Sequence, residues 1–139
     1  MLDTSLPTPR GEERLFYERA RAHELVYQVC QSCRQHWWYL RTVCPACLAT
    51  ELTLTPSSGT GTVYSYTTLY RAGTPSRAGD VPYTIALVDL DEGVRVIGDL
   101  CDVEPNNAAI GMRVQVVYLE MTDEITRIGF TPQPTITER

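Results

Sequence analysis

Two cysteine pairs, Cys30-Gln31-Ser32-Cys33 and Cys44-Pro45-Ala46-Cys47, have the spacing in this chain that most clearly implies chemistry. Two residues between paired cysteines let both sulfurs of one tight turn point at a single cation. Arg34 to Val43 separate the pairs. Two such turns facing each other supply four thiolates, the donor set of a closed tetrahedral zinc site. Four protein ligands leave no open position for water or substrate, so zinc held there is structural. Two disulfides or a redox dithiol are the competing readings. A redox motif uses one Cys-x-x-Cys, and a second facing pair argues against it.

Little else has the form of a catalytic set. The fifth cysteine, Cys101, lies in an apolar run and reads as a small packing residue; a nucleophile there would need a base, and none is suggested. His23 and His36 read as surface or packing histidines. The chain has no Gly-x-Ser-x-Gly elbow, His-Glu-x-x-His or Gly-x-Gly-x-x-Gly. Asp89, Asp91 and Glu92 fit a solvated turn better than acid–base work. Eight tyrosines and two tryptophans are many for 139 residues. Tyr64, Tyr66 and Tyr70 are expected on one face of one strand. With Arg71 and Arg77 they offer a stacking and phosphate-binding surface for single-stranded nucleic acid or a nucleotide-bearing cofactor. A half-buried strand with amphipathic rings is the plainer account. Trp37 and Trp38 are expected over the zinc site or at an interface.

The elements that must position these residues follow from pattern. Residues 1–11 carry two prolines and a glycine and read as an irregular arm. Glu12 to Glu24 is free of Gly and Pro and rich in helix formers; Phe16, Ala20 and His23 share a face at helical spacing. That narrow stripe packs either on its own domain or on a partner. Strands are expected at 25–29, 37–41 and 51–55, wrapping the cysteines as a zinc ribbon whose folding energy comes largely from the metal. Residues 56–61 read as a hinge. Beyond it, strands at 62–70, 83–90, 94–100, 112–121 and 125–130 alternate with turns, Gly93 supplying a positive φ in one of them. The tail from Thr131 is expected to fray. The fold class is therefore mainly β: an N-terminal helix (1–24, with its arm), a rubredoxin-like zinc ribbon (25–56), a five-stranded OB-fold barrel (57–131) and a tail (132–139).

The formal net charge of −5 becomes about −7 once four thiolates and a zinc ion are counted. An acidic chain repels phosphate backbones, which counts against nucleic acid as main partner. No run of about 18 apolar residues spans a membrane, no secretion signal is visible, and metal-spaced cysteines fit a reducing cytoplasm.

Taken together, these pieces resemble the bacterial and archaeal family of acyl-CoA-associated proteins with an N-terminal rubredoxin-like zinc ribbon and a C-terminal OB-fold. The resemblance covers roughly residues 12–131. It is carried by Leu15-Phe16-Tyr17, both cysteine pairs, Gly59-Thr60-Gly61-Thr62-Val63-Tyr64-Ser65, the run Pro82 to Gly93, and Ile110-Gly111-Met112-Arg113-Val114. Where the family usually has Gly after the second cysteine, this chain has Arg34. The resemblance implies a non-catalytic subunit of a hetero-oligomer. Its partner would be a thiolase-fold enzyme, a thiolase or a retro-aldolase of steroid side-chain breakdown, which this chain stabilises while helping enclose the acyl-CoA thioester. Phe16, Trp37, Trp38, Tyr64, Tyr66, Tyr70, Arg71 and Arg77 are the candidate acyl-CoA or partner surface. A single-stranded nucleic-acid binder is the alternative.

Overall fold

The computed structural model describes residues 6–133. One helix, α1 (Glu13–Arg21), precedes eight strands: β1 (Val26–Cys30), β2 (His36–Trp37), β3 (Leu52–Pro56), β4 (Thr60–Leu69), β5 (Tyr83–Leu90), β6 (Arg95–Leu100), β7 (Arg113–Glu120) and β8 (Thr126–Pro132). The first three form a small antiparallel sheet in the order β2-β1-β3, and the last five close a barrel in the order β4-β5-β6-β8-β7. Within the barrel only β6 and β8 run parallel. Five strands closed this way make an OB-type barrel. No described helix is long and apolar enough to cross a membrane.

Alternation builds the barrel core. In β5, Thr84, Ala86, Val88 and Leu90 are buried while the residues between them are only half-buried. Ala86, Val88 and Leu90 join Val63, Val96, Leu100, Val114 and Phe130 in the core. Closure needs β4 to approach β5 closely: a Cβ on Gly61 would lie 2.5 Å from the Asp89 carbonyl oxygen. The ribbon is welded to this core, because Leu25 and Tyr27, at the start of β1, belong to the same buried cluster.

Four expectations change. The helix ends at Arg21, so His23 does not extend the Phe16–Ala20 face. His23 takes φ 58°, its amide bonds Ala20 O and the Glu24 amide bonds Arg19 O. That is a Schellman stop with histidine where glycine is usual. Its ring then stacks on Tyr118 at 4.7 Å, with Nε2 3.1 Å from Glu120. The middle ribbon strand is His36–Trp37 alone, not 37–41. The buried Gln28 side chain clamps the Arg41 backbone, donating to its carbonyl at 3.0 Å and accepting from its amide at 2.8 Å, and residues 38–40 leave the sheet. Residues 56–61 are no free hinge: Ser57 and Ser58 donate to the Glu92 carboxylate, and Thr60 donates to Asp91 at 2.6 Å. Thr131 and Pro132 do not fray but pair with Gln115 and Val114; residues 134–139 lie outside the described part. Gly93, at φ 91°, turns the β5–β6 hairpin as its sequence predicts.

Candidate metal centre and adjoining cleft

The two cysteine turns share one backbone plan. In the first, the Arg34 amide donates to Cys30 O at 2.9 Å and the Cys30 amide to Gln35 O at 3.0 Å; in the second, Leu48 donates to Cys44 O at 2.9 Å and Cys44 to Ala49 O at 2.8 Å. Arg34 and Leu48 hold matching left-handed conformations, φ 66° and 65°. These turns bring all four sulfurs within 4.8 Å of one another. Cys30 and Cys47 Sγ are 3.6 Å apart, and Cys33 and Cys44 Sγ 3.7 Å. Disulfides would require about 2.05 Å. A tetrahedral cation with metal–sulfur bonds of about 2.3 Å sets its ligands about 3.8 Å apart, so the donor set fits such an ion.

The electrostatics fit as well. Burial opposes the Cys44 thiolate, but amides of Cys47 and Ala46 and the neighbouring sulfurs outweigh it and bring the thiol down to about 6. For Cys33 the Gln35 amide favours the thiolate, yet burial and the sulfurs of Cys44, Cys30 and Cys47 together push the thiol up to about 12. Four sulfurs this close cannot all ionise unaided, and a cation removes that conflict.

The connection between the two cysteine turns also walls a cleft of about 350 Å³ between helix, ribbon and barrel. The helix contributes Phe16, the ribbon Trp38, Tyr39 and Leu40, and the barrel Ile85 and Ile97. Phe16 meets the Trp38 ring edge-on, with centroids 5.2 Å apart. Such a pair contributes about 1 kcal/mol beyond its buried area. Tyr39 and Ile97 remain 68% and 54% exposed, so the cleft opens onto an apolar surface. At its edge, Asp99 accepts two bonds from Arg77, at 2.6 and 3.2 Å, and faces Arg127 at 3.7 Å.

The expected surface residues therefore divide. Phe16 and Trp38 come together in the cleft. Trp37 does not line it; its ring sits beneath the Arg41 guanidinium at 5.9 Å, and its buried Nε1 has no partner among the described residues. The tyrosines do not form one face. A bulge between Val63 and Ser65 shifts the β4–β5 register, which turns Tyr66 onto the face of Ala86 and leaves Tyr64 on the other. Tyr70 lies beyond the end of β4 and is exposed. Arg77 is no free phosphate ligand: it lies 3.7 Å over Tyr83, paired with Asp99. Arg71 is exposed. The carboxylates expected in a solvated turn are also engaged. Asp89 accepts from Arg95, which covers Tyr64 at 3.4 Å, and hydrogen bonds from Arg113 and Thr60 hold the Asp91 carboxyl down to about 2. Sequence reading missed Tyr39, Leu40, Ile85 and Ile97. The available signal was β5 itself, where Tyr83, Ile85 and Leu87 put apolar groups on its outer face too.

Fold and site together define a class: a four-cysteine ribbon and a leading helix packed on an OB-type barrel. Residues 18–53 match the family model described as ChsH2, rubredoxin-like zinc ribbon domain, and residues 54–119 the one described as ChsH2, C-terminal OB-fold domain. The chain belongs to the ChsH2 (DUF35) family. In a solved structure described as the Ltp2-ChsH2(DUF35) aldolase, one chain is 32% identical, with TM-score 0.83, and the match covers 91% of this chain and 98% of that one. A DUF35 domain-containing scaffold protein of Methanocaldococcus jannaschii is 32% identical over 68% of this chain and 67% of its own. The 3-oxo-4,17-pregnadiene-20-carboxyl-CoA hydratase alpha subunit of Mycobacterium tuberculosis is 32% identical over 84% of this chain, which spans only 37% of that relative. A DUF35-family protein of Sulfolobus solfataricus, 14% identical with TM-score 0.63, shares the fold.

Proposed function

We propose that this chain is a non-catalytic subunit that binds a thiolase-fold enzyme of the Ltp2 type and helps enclose its acyl-CoA substrate, with a structural zinc ion in the four-cysteine site. The observation that carries the reading is the near-complete likeness to the ChsH2 chain of an aldolase assembly. The apolar cleft and its exposed rim supply the kind of surface such a partner covers. The chain's own nucleophile is poorly suited to covalent work: burial, then the carboxylates of Asp99 and Asp102, push the Cys101 thiol up. Zinc fits the donor set because four thiolates in a tetrahedron are its usual structural site. A cytoplasmic setting follows from the need to keep those thiols reduced. The acyl group and the choice between thiolysis and retro-aldol cleavage belong to the partner.

The alternative, a single-stranded nucleic-acid surface, loses Arg77 to Asp99 and its single tyrosine face to the bulge in β4. Co-expression with the Ltp2-type subunit of the same organism tests the leading reading. A co-eluting complex that cleaves a β-hydroxyacyl-CoA, with this chain inactive alone, is expected. Activity of the isolated chain, or two proteins eluting separately, would overturn it.

A further inference from the structure

The wall that the ribbon gives the cleft is also the connection between the two cysteine turns. Trp38, Tyr39 and Leu40 lie between Cys33 and Cys44 in sequence, and their sulfurs meet at 3.7 Å. Regular pairing holds this connection over two residues only, Gln28 with Trp37 and Val29 with His36. Three further ties keep it in place. Gln28 clamps the Arg41 backbone, His36 Nδ1 lies 2.6 Å from the Glu92 carbonyl oxygen at the β5–β6 turn, and Trp38 packs on Phe16. The barrel side of the cleft needs none of them, since Ile85 and Ile97 sit on strands paired within the closed barrel.

From this arrangement we propose that metal occupancy gates the cleft. The cation clips both ends of the connection and so presets the wall of Trp38, Tyr39 and Leu40; without it the wall leaves the barrel and the cleft is lost while the barrel stays folded. Closing a short loop by a clip removes its conformational freedom, and that ordering is what the wall requires. The linkage is reciprocal: whatever holds Trp38 against the helix strengthens metal binding at sulfurs it does not touch. The inference rests on the cation of the proposed function but not on its partner enzyme.

The test uses the full zinc-loaded chain alone. After zinc is stripped with a chelator, the Arg41 amide is expected to exchange rapidly and the fluorine signal of 5-fluorotryptophan at Trp38 to move to its solvent-exposed position. The β5 and β6 amides should keep their protection. Competition with a chromophoric chelator then measures zinc affinity. Phe16→Ala should weaken it about tenfold, the equivalent of about 1.4 kcal/mol, and Phe16→Leu should restore part of the loss. Unchanged Arg41 exchange and Trp38 signal in the zinc-free chain would overturn the proposal, as would loss of barrel protection with the metal. Wild-type zinc affinity in folded Phe16→Ala would overturn the reciprocal link. If Phe16→Ala does not fold, Phe16→Leu carries that arm. None of these outcomes depends on whether an Ltp2-type subunit binds.

Discussion

Leu48 and Arg34 occupy equivalent places after the second cysteine of each turn, and both hold a left-handed backbone that glycine would adopt freely. For an L-residue that conformation costs about 1–2 kcal/mol. Leu48 adds an exposed apolar side chain, 74% accessible, which recovers little by burial. Leu48→Gly should therefore raise the stability of the zinc-loaded chain by about 0.5–1 kcal/mol, the relief of strain less the greater freedom of unfolded glycine. Urea unfolding with zinc in excess checks it. Cys44→Ser should empty the site, whereas Cys101→Ser should leave zinc content at wild-type level, because Cys101 is not among the clustered sulfurs; atomic absorption on the purified proteins distinguishes the two. The departure at Arg34 was visible in the sequence from the glycine it replaces. Leu48 was not singled out, although it stands at the same place after the second cysteine of its pair and holds the same left-handed backbone.

At the scale of elements, the β5–β6 turn is the joint of the molecule. Glu92 receives Ser57, Ser58 and, through its carbonyl, His36, while Asp91 ties Thr60 and Arg113. Because the folded carboxyl of Asp91 is held at about 2 against about 3.9 when unfolded, its contribution is fully present above pH 4. It fades as pH falls through 2. The pair is nearly half-exposed, so the effect is about 0.5 kcal/mol. Asp91→Asn should lack that part of the acid slope, as read from unfolding midpoints between pH 4 and pH 2. The eight strands were largely legible because alternation and turn residues are local signals. What escaped were features decided by partners far along the chain. Gln28 shortens the middle ribbon strand by clamping Arg41, the bulge at Tyr64 splits the expected tyrosine face, and distant carboxylates make a pinned joint of the predicted hinge. Cysteine spacing anticipated which four sulfurs cluster, the donor set of the candidate metal centre. Of the cleft only Phe16 and Trp38 were readable, since Ile85 and Ile97 acquire meaning when the barrel closes and the ribbon settles beside them.

For the whole molecule, the proposed function makes the open rim of the cleft the surface on which a partner subunit would seat. Ile97 is more than half exposed on β6, next to the wall that the ribbon supplies, so it adds little to the stability of the chain alone. A partner that covers the rim must desolvate whatever stands there. Ile97→Glu then places an unpaired carboxylate in a buried apolar contact, a cost of several kcal/mol, while the free chain keeps it in water. The variant should fold and bind zinc like wild type, yet lose at least about a hundredfold in affinity for the Ltp2-type subunit, since each 1.4 kcal/mol is tenfold. Calorimetric titration against that subunit, with Leu48→Gly as a control at an exposed residue that does not line the cleft, separates loss of the rim from general damage. Equal binding by both variants would move the contact surface away from the cleft.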